Sequence, residues 1–277
     1  MRVVWPGSEL DVVPLHILTT VAHNGGMVIG AFDGENLVGF AWGFLATDDS
    51  EPGRPALARL KYCSHQLGVL PEYRDAGIGY LLKLAQRDFV VRQGVRLITW
   101  TFDPLESRNA NLNIARLRCI CRKYLREVYG VMTDGLNAGL PSDRLLIEWW
   151  VTSQRVKQGL AEEPGRKPLT LDSFTSAGAR ILNPARFAAN GLLRPPDRFS
   201  DPISNIAIIE IPADFQSVKI QDMPLALEWR QHSRALFESL FAQGYIVIDF
   251  VHQRYDGPPR SYYVLSHGEA RVGFSEN

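Results

Sequence analysis

The sequence has few cysteines, no excess of charge of either sign and no long hydrophobic run. Its three cysteines among 277 residues cannot all pair within one chain, which argues against a disulfide-stapled scaffold and favours reduced thiols. Thirty basic residues balance thirty acidic ones, so no overall field attracts nucleic acid or a membrane surface. No stretch approaches a membrane span, and the first residues lack the layout of a signal peptide. We therefore expect a cytoplasmic protein without a nucleic-acid or membrane partner.

Two kinds of chemistry have no support in the sequence. Cys119 and Cys121 fall in a predicted helix, where two steps of about 100° place them about 200° apart, so we expect packing thiols and no metal site. No serine has the glycine-flanked elbow of a hydrolase nucleophile.

The composition is that of a globular protein, with 45% hydrophobic and 22% charged residues. The length suits one large domain or two small ones. Residues 158–168 are polar and contain two glycines and two prolines, which marks them as the best candidate boundary. We predict domains at residues 1–155 and 156–277.

Residues 60–93 are the segment around which the chain is organised. The run at 60–70 predicts a strand, Pro-Glu-Tyr at 71–73 a turn, and the residues from Arg74 a helix that ends before Gly94. The helix has an apolar stripe at helical spacing and basic residues elsewhere on its circumference: Ile78, Leu82, Ala85 and Phe89 form the stripe, and Lys83, Arg87 and Arg92 lie outside it. The first amides of a helix have no internal partner, and the helix dipole makes that end positive. Gly77 and Gly79 have no Cβ, so an anion can approach the main chain closely. The segment therefore predicts a phosphate site.

This segment resembles a known motif. Residues 69–82 are similar to the pyrophosphate-binding motif of the GNAT acyltransferase superfamily, in which Arg74, Gly77 and Gly79 stand at the required spacing after a strand. The resemblance covers roughly residues 28–150, and the runs at 100–105 and 140–145 are similar to a poorly characterised bacterial branch. It implies an α/β (α+β) fold with a mixed, mainly antiparallel twisted sheet flanked by helices. The C-terminal part is then either a degenerate half-repeat of the same fold or an unrelated α/β extension.

The resemblance implies an acyl-coenzyme A co-substrate, most simply acetyl-coenzyme A. Its diphosphate is expected on the amides of residues 75–80, and its pantetheine arm between the strands at 60–70 and 95–101. An amide near Leu67 or Gly68 is expected to polarise the thioester carbonyl. The implied cofactor-binding residues are Gln66, Leu67, Gly68, Val69, Arg74, Asp75, Ala76, Gly77, Ile78, Gly79, Tyr80 and Asn111.

Two residues are candidates for proton transfer. His65 precedes the expected oxyanion amides and titrates near neutrality, which suits a general base; the alternative is a structural histidine. Tyr124 is the candidate acid, because many members of the superfamily use a tyrosine in this region. That tyrosine usually follows an asparagine by seven positions, and seven after Asn111 is Arg118, so a core role for Tyr124 is the alternative.

The acceptor site is less defined. A small-molecule amine is expected, and a homodimer is left open. The polar candidates for an acceptor pocket are Asp103, Asp134, Asn137, Asp143, Arg144 and Glu148. For each of these side chains the alternative is a place in a turn or in a surface ion pair.

Patterning predicts the remaining elements. Apolar runs at 27–32 and 37–45 flank Asp-Gly-Glu-Asn at 33–36 and predict a hairpin. From Ser107 a helix is predicted, with a basic face at Arg116, Arg118, Arg122, Lys123 and Arg126, and with an apolar stripe at Ile114, Leu117, Cys121, Tyr124 and Val128. The other predicted elements are a strand at 2–5, helices at 10–23 and 222–243, and strands at 95–101, 145–151, 206–211, 245–251 and 262–265. For the helix at 222–243, Asp222 is the predicted N-cap, and Trp229, Leu236 and Leu240 lie along one stripe.

The sequence thus predicts an acyltransferase, and specifically an N-acetyltransferase in which the amine attacks the thioester directly. The alternative is a non-catalytic acyl-coenzyme A-binding or regulatory protein. A dinucleotide-dependent oxidoreductase is disfavoured, because the turn lacks a third glycine and no acid follows at the required distance.

Overall fold

The computed structural model describes residues 1–6, 12–132, 135, 137–161, 169–254 and 257–267. The chain divides into two compact units that interleave along the sequence. The first unit comprises Met1–Trp100, Thr133–Ala138 and Glu148–Thr152, and the second comprises Thr101–Met132, Gly139–Ile147 and Ser153–Asn277. The predicted domains at 1–155 and 156–277 follow a different division and stay a prediction.

The described residues form helices, strands and short turns of helix. The helices are α1 (Leu15–His23), α2 (Ile78–Arg92), α3 (Ser107–Ala110), α4 (Gln154–Leu160), α5 (Leu171–Ser176), α6 (Phe215–Gln221) and α7 (Met223–Ala242). The strands are β1 (Met27–Asp33), β2 (Asn36–Thr47), β3 (Leu60–Val69), β4 (Leu97–Phe102), β5 (Ile120–Leu125), β6 (Arg144–Trp150), β7 (Arg180–Ile181), β8 (Arg186–Phe187), β9 (Leu193–Arg194), β10 (Ile206–Ile211), β11 (Tyr245–Gln253) and β12 (Arg260–His267). Turns of 3₁₀-helix lie at Ala56–Arg59 and Pro71–Tyr73, and a π-helix at Asn111–Arg116.

The first unit is built on the strands β1, β2, β3 and β4, hydrogen-bonded in that order. β1, β2 and β3 pair antiparallel, which confirms the predicted hairpin, and β3 and β4 pair parallel. Gly34 has a φ of 59° at the hairpin turn, a value that glycine adopts without strain. Helix α2 is the crossover that a parallel pair needs, and it covers one face of the sheet, where Tyr62 contacts Phe89.

The second unit contains the strand order β5, β11, β12, β10, β7, and β8 pairs separately with β9. Only the β10–β7 pair is parallel among the pairs of that order. Helix α7 packs on β5 and β11 through a stripe that includes the predicted Trp229, Leu236 and Leu240, each at most 1% exposed. Asp222 caps the helix as predicted, because its carboxylate accepts the Leu225 amide at 2.9 Å. The predicted α/β class with a mainly antiparallel sheet and flanking helices is confirmed.

The helix predicted from Ser107 through Val128 is wrong beyond Arg116. α3 and the π-helix end there, Arg118 adopts a φ of 60°, and residues 120–125 form strand β5. Cys121 therefore lies on a strand, where it pairs with Val247 of β11. The predicted basic helix face does not exist, and the helical separation of Cys119 and Cys121 does not apply; both are buried cysteines outside any disulfide.

Two smaller predictions also need correction. Residues 2–5 form turns, and the strand predicted there is wrong. The buried face of α2 includes Leu82, Lys83, Gln86 and Val90, whereas Ala85, predicted to lie on the apolar stripe, is exposed. None of the described helices has both the length and the apolar character that a membrane span needs.

Candidate active site

The parallel ladder between β3 and β4 is short. Their ladder consists of two register pairs, Tyr62 with Ile98 and Cys63 with Thr99. β3 continues to Val69 with its other edge held by β2. Because strand residues direct their N–H and C=O groups to alternate edges, every second residue of 64–69 presents these groups to the gap. An edge of β3 beyond this ladder is the kind of place where an extended ligand with amide groups can pair, as a missing strand would.

The loop after β3 enters α2 through two residues with positive φ, Asp75 at 68° and Gly77 at 79°. Gly77 is the N-cap, no side chain caps it, and a Cβ there would meet nothing within 4 Å. The Leu81 amide bonds back to the Gly77 carbonyl at 3.1 Å. The amides of Ile78 and Gly79 precede that bond, in the part of a helix where amides have no intrahelical acceptor. This end of α2 has the geometry of an anion site, and Arg74 is exposed beside it.

His65 lies at a bulge in β3. Its neighbours Gln66 and Ser64 pair with Trp42 and Gly43 of β2, so His65 is the extra residue. The residue is exposed overall, while its ring packs edge-on against Trp42, with the ring centroids 4.5 Å apart. Burial of this ring lowers the pKa of His65. The imidazole is therefore neutral at pH 7 and able to accept a proton.

The other predicted residues of β3 follow the bulge. The Gln66 side chain accepts the indole N–H of Trp42 at 3.0 Å, so its amide is held on the His65 side of the sheet. Gly68 is required by packing, because a Cβ there would lie 2.8 Å from the Phe40 ring. Leu67, like Gly68, pairs with β2 in the antiparallel ladder. The structure thus brings residues 65–80 together as one continuous strand, turn and helix start.

Asn111 and Tyr124 belong to the second unit. Asn111 begins the π-helix, and Tyr124 lies on β5 instead of on a helix. The Tyr124 hydroxyl donates to Asp143 Oδ2 at 2.8 Å. Burial raises the pKa of Tyr124 well above its ordinary value; the Arg230 charge opposes this shift, and the Asp143 charge adds to it. The hydroxyl is protonated at neutral pH, but its proton is engaged; the acid role stays a prediction, as does cofactor binding by Asn111.

Asp143 is the centre of a buried polar network. Its side chain is fully buried and accepts Arg234 Nε and Nη2, both at 2.8 Å, together with the Glu127 amide at 3.1 Å. Burial alone would raise the pKa of Asp143, but the hydrogen bonds from Arg234, Tyr124 and the Glu127 amide more than offset it and the pKa is lowered. The carboxylate is thus a structural anchor within the second unit.

We expect Tyr124→Phe to lower the free energy of unfolding by about 1–2 kcal/mol, because Asp143 loses one donor of its network. Affinity for coenzyme A should stay unchanged. Chemical denaturation and calorimetry measure the two quantities. Slower acyl transfer by a folded Tyr124→Phe variant with normal affinity would contradict a purely structural role and support the predicted acid.

Most of the acceptor candidates also have structural partners. The Asp103 carboxylate accepts hydrogen bonds from both terminal nitrogens of the buried Arg230, one of them at 2.9 Å. Arg144 is 6% exposed and donates to the Asp143 carbonyl at 2.8 Å. Glu148 accepts the Trp150 indole N–H at 3.1 Å. Asp134 lies outside the described residues, and an acceptor role for any of these side chains stays a prediction.

Sequence reasoning missed a buried polar group under α2. Lys83 and Gln86 are 3% and 0% exposed, and Lys83 donates to Ser64 Oγ at 2.9 Å. No local pattern indicates this burial, because a lysine and a glutamine on an amphipathic helix normally face water. Within the described part of the chain, His, Cys, Asp and Glu side chains form no group of three or more that could hold a metal.

Comparison with known proteins gives structural matches alone. No protein-family model and no curated protein matches the sequence. The chain is similar to solved N-acetyltransferases. Chaetomium thermophilum Naa20, in complex with a bisubstrate analogue, is 15% identical at a TM-score of 0.41, with 57% of this chain and 83% of that chain covered.

Two further matches are similar in extent. Arabidopsis thaliana Naa50, in complex with a coenzyme A bisubstrate analogue, is 17% identical at a TM-score of 0.39, with coverages of 50% and 83%. The ribosomal-protein-S18-alanine N-acetyltransferase of Escherichia coli is 10% identical at 0.37, with coverages of 60% and 89%. Identities and TM-scores are low, so the function of this chain is inferred from its own residues.

Proposed function

We propose that this protein is an acyltransferase that binds an acyl-coenzyme A along β3 and transfers the acyl group to a small-molecule amine. The observation that carries the proposal is the early end of the β3–β4 ladder, at Cys63 and Thr99, before the uncapped start of α2. The diphosphate would accept hydrogen bonds from the amides of the first turn of α2, and Arg74 would add charge. The pantetheine arm would run along residues 66–69 toward the bulge at His65.

The chemistry follows from where the thioester would lie. The amine nitrogen attacks the carbonyl carbon, a C–N bond forms, the C–S bond breaks, and the thiolate leaves with the bonding electron pair. His65 takes the proton released by the amine, and solvent protonates the thiolate. The amide of Leu67 or Gly68 would stabilise the oxyanion, because a fixed donor aimed at developing charge lowers the barrier.

The experiment that tests this function has two parts. Calorimetry with coenzyme A measures binding, and thiol release from acetyl-coenzyme A in the presence of an amine panel measures transfer. The panel contains small amines and short peptides, because the acceptors of the similar structures include a peptide analogue. Binding followed by amine-dependent thiol release supports the enzyme. If coenzyme A binds but no amine of the panel causes thiol release, the result supports the non-catalytic acyl-coenzyme A-binding protein.

We expect His65→Gln to lower kcat by about a hundredfold, at the low end of what a general base contributes. Affinity for coenzyme A should not change, since the His65 side chain lies on β3, away from the α2 amides that would hold the diphosphate. The pH profile is the sharper readout. In the native protein the rate should fall as pH drops through the lowered pKa of His65, because protonation removes the base, and the variant should lack this limb. An unchanged rate and profile would make His65 structural.

A further inference from the structure

The buried polar group under α2 lies where β3 and β4 separate. Lys83 Nζ is 2.9 Å from Ser64 Oγ, 3.3 Å from Gln86 Oε1 and 3.4 Å from the ring centroid of Trp100. The Lys83 ammonium is therefore held between a residue of β3 and a residue of β4. Ser64, Lys83 and Gln86 are each at most 4% exposed, so this charge is almost entirely removed from water.

The position of this group relative to the gap follows from the strand register. Cys63 and Thr99 form the last pair of the ladder between β3 and β4. Ser64 and Trp100 are the next residue on each strand, and they are the two that contact Lys83. The ammonium thus marks the closed end of the gap that would hold the pantetheine arm. Any group attached to the thiol end of that arm would lie beside it.

Two buried donors of the same group lack an acceptor. Gln86 Nε2 and Trp149 Nε1 have no hydrogen-bond partner among the described residues, and both residues are 0% exposed. The Trp149 ring meets the Trp100 ring edge-on at 6.0 Å, and Trp100 is the ring that Lys83 also contacts. A buried donor without a partner costs about 1–3 kcal/mol, which a native structure accepts where a ligand or water completes the site.

The chemistry of the cluster selects the ligand. It combines a buried positive charge with two unsatisfied N–H groups, so it favours a negatively charged acceptor. A carboxylate only accepts hydrogen bonds and has about four lone-pair sites, enough for several donors at once. A methyl group at the same place would leave both N–H groups unpaired. The cluster therefore suits an acyl group that ends in a carboxylate better than an acetyl group.

We propose that the acyl donor is the coenzyme A thioester of a short dicarboxylic acid, such as malonyl- or succinyl-coenzyme A, whose free carboxylate binds Lys83, Gln86 and Trp149. This inference rests on the proposed function, because the thioester is what brings the acyl group to the end of the gap. The free carboxylate is not consumed. The amine attacks the thioester carbonyl as before, and the C–S bond is the one that breaks.

Calorimetry with succinyl-coenzyme A and butyryl-coenzyme A tests the inference, because the two acyl chains have equal length and differ in the terminal carboxylate. We expect succinyl-coenzyme A to bind about tenfold or more tightly, as charge-assisted hydrogen bonds would give. Gln86→Leu and Lys83→Met should bring the ratio of dissociation constants close to one. Lys157→Met, at an exposed position of α4, should leave it unchanged.

The outcomes separate the two proposals. Equal affinity for both thioesters, or a ratio unchanged by Gln86→Leu, overturns the dicarboxylic donor while coenzyme A itself still binds. Loss of coenzyme A binding by the native protein overturns the proposed function as well. Thermal melts accompany every variant. Gln86→Leu is the milder variant, because it removes an unpaired donor and keeps the Lys83 bond to Ser64, although it also removes the Gln86 oxygen that Lys83 contacts; the melts report that loss.

Discussion

Replacing Gly79 with leucine is expected to abolish coenzyme A binding at ligand concentrations that saturate the native protein. Gly79 is the second residue of α2. Side chains on a helix tilt toward its N-terminus, so a leucine there would cover the first-turn amides that the diphosphate needs. Loss of several charge-assisted hydrogen bonds weakens affinity by about a hundredfold or more. The helix propensity of leucine is more favourable than that of glycine by about 0.5–1 kcal/mol, so the fold should persist.

Calorimetry with coenzyme A measures this effect, and circular dichroism verifies the fold. Gly53→Leu is the matched control, because Gly53 lies in a loop, has no positive φ, and a Cβ there would meet nothing within 4 Å. The control should bind coenzyme A normally. If Gly79→Leu keeps native affinity, the diphosphate does not sit on the first turn of α2.

Replacing Asp143 with alanine is expected to lower the free energy of unfolding by about 3–5 kcal/mol, the usual cost of breaking a buried ion pair. Alanine removes the bidentate partner of the Arg234 guanidinium, which keeps only a 3.7 Å contact with Glu127, and it removes the acceptor of the Tyr124 hydroxyl. Urea denaturation measures the loss. Asp201→Ala, at an exposed position of the same unit, should change stability by less than about 0.5 kcal/mol.

The pH dependence of stability provides an independent test of the same network. The pKa of Asp143 is lower in the folded protein than in the unfolded chain. Its contribution is therefore fully present above the unfolded value of about 3.9 and is lost as pH falls through the folded pKa. As pH falls below 4, the free energy of unfolding of Asp143→Ala should decrease less steeply than that of the native protein. Parallel curves for the two proteins would contradict this role.

The phosphate segment could be predicted from the sequence because its signals are local. A β-rich run, a Pro-containing turn and two glycines at the start of an apolar-periodic helix lie within about 20 residues. Each signal concerns backbone geometry that neighbouring residues determine. β3, the turn and α2 accordingly appear within two residues of their predicted bounds, apart from the start of α2.

The region after Ser107 could not be predicted in the same way. Ile114, Leu117, Cys121 and Tyr124 fit helical spacing, but β5 is held by β11, with Cys121 opposite Val247. That pairing joins residues far apart in sequence, and no local pattern reports it. The turn at Arg118 has a positive φ without the glycine that usually marks one.

Buried polar residues are the second class that local reasoning misses. The sequence pattern favours a turn or a surface ion pair with Arg144 for Asp143, whereas its side chain pairs with Arg234 of α7. The same reasoning places Lys83 outside the apolar stripe of α2, whereas its ammonium is buried against Trp100. In both cases the partner that makes burial tolerable comes from a distant segment, and a single sequence does not identify it.

A crystal structure of the protein soaked with coenzyme A tests the central claim most directly. It should show diphosphate oxygens within hydrogen-bond distance of the amides of Ile78 and Gly79, and the pantetheine arm between β3 and β4. The account would be contradicted if those amides were bonded to protein groups, or if coenzyme A bound elsewhere on the chain. The protein would then be an α/β protein with another function.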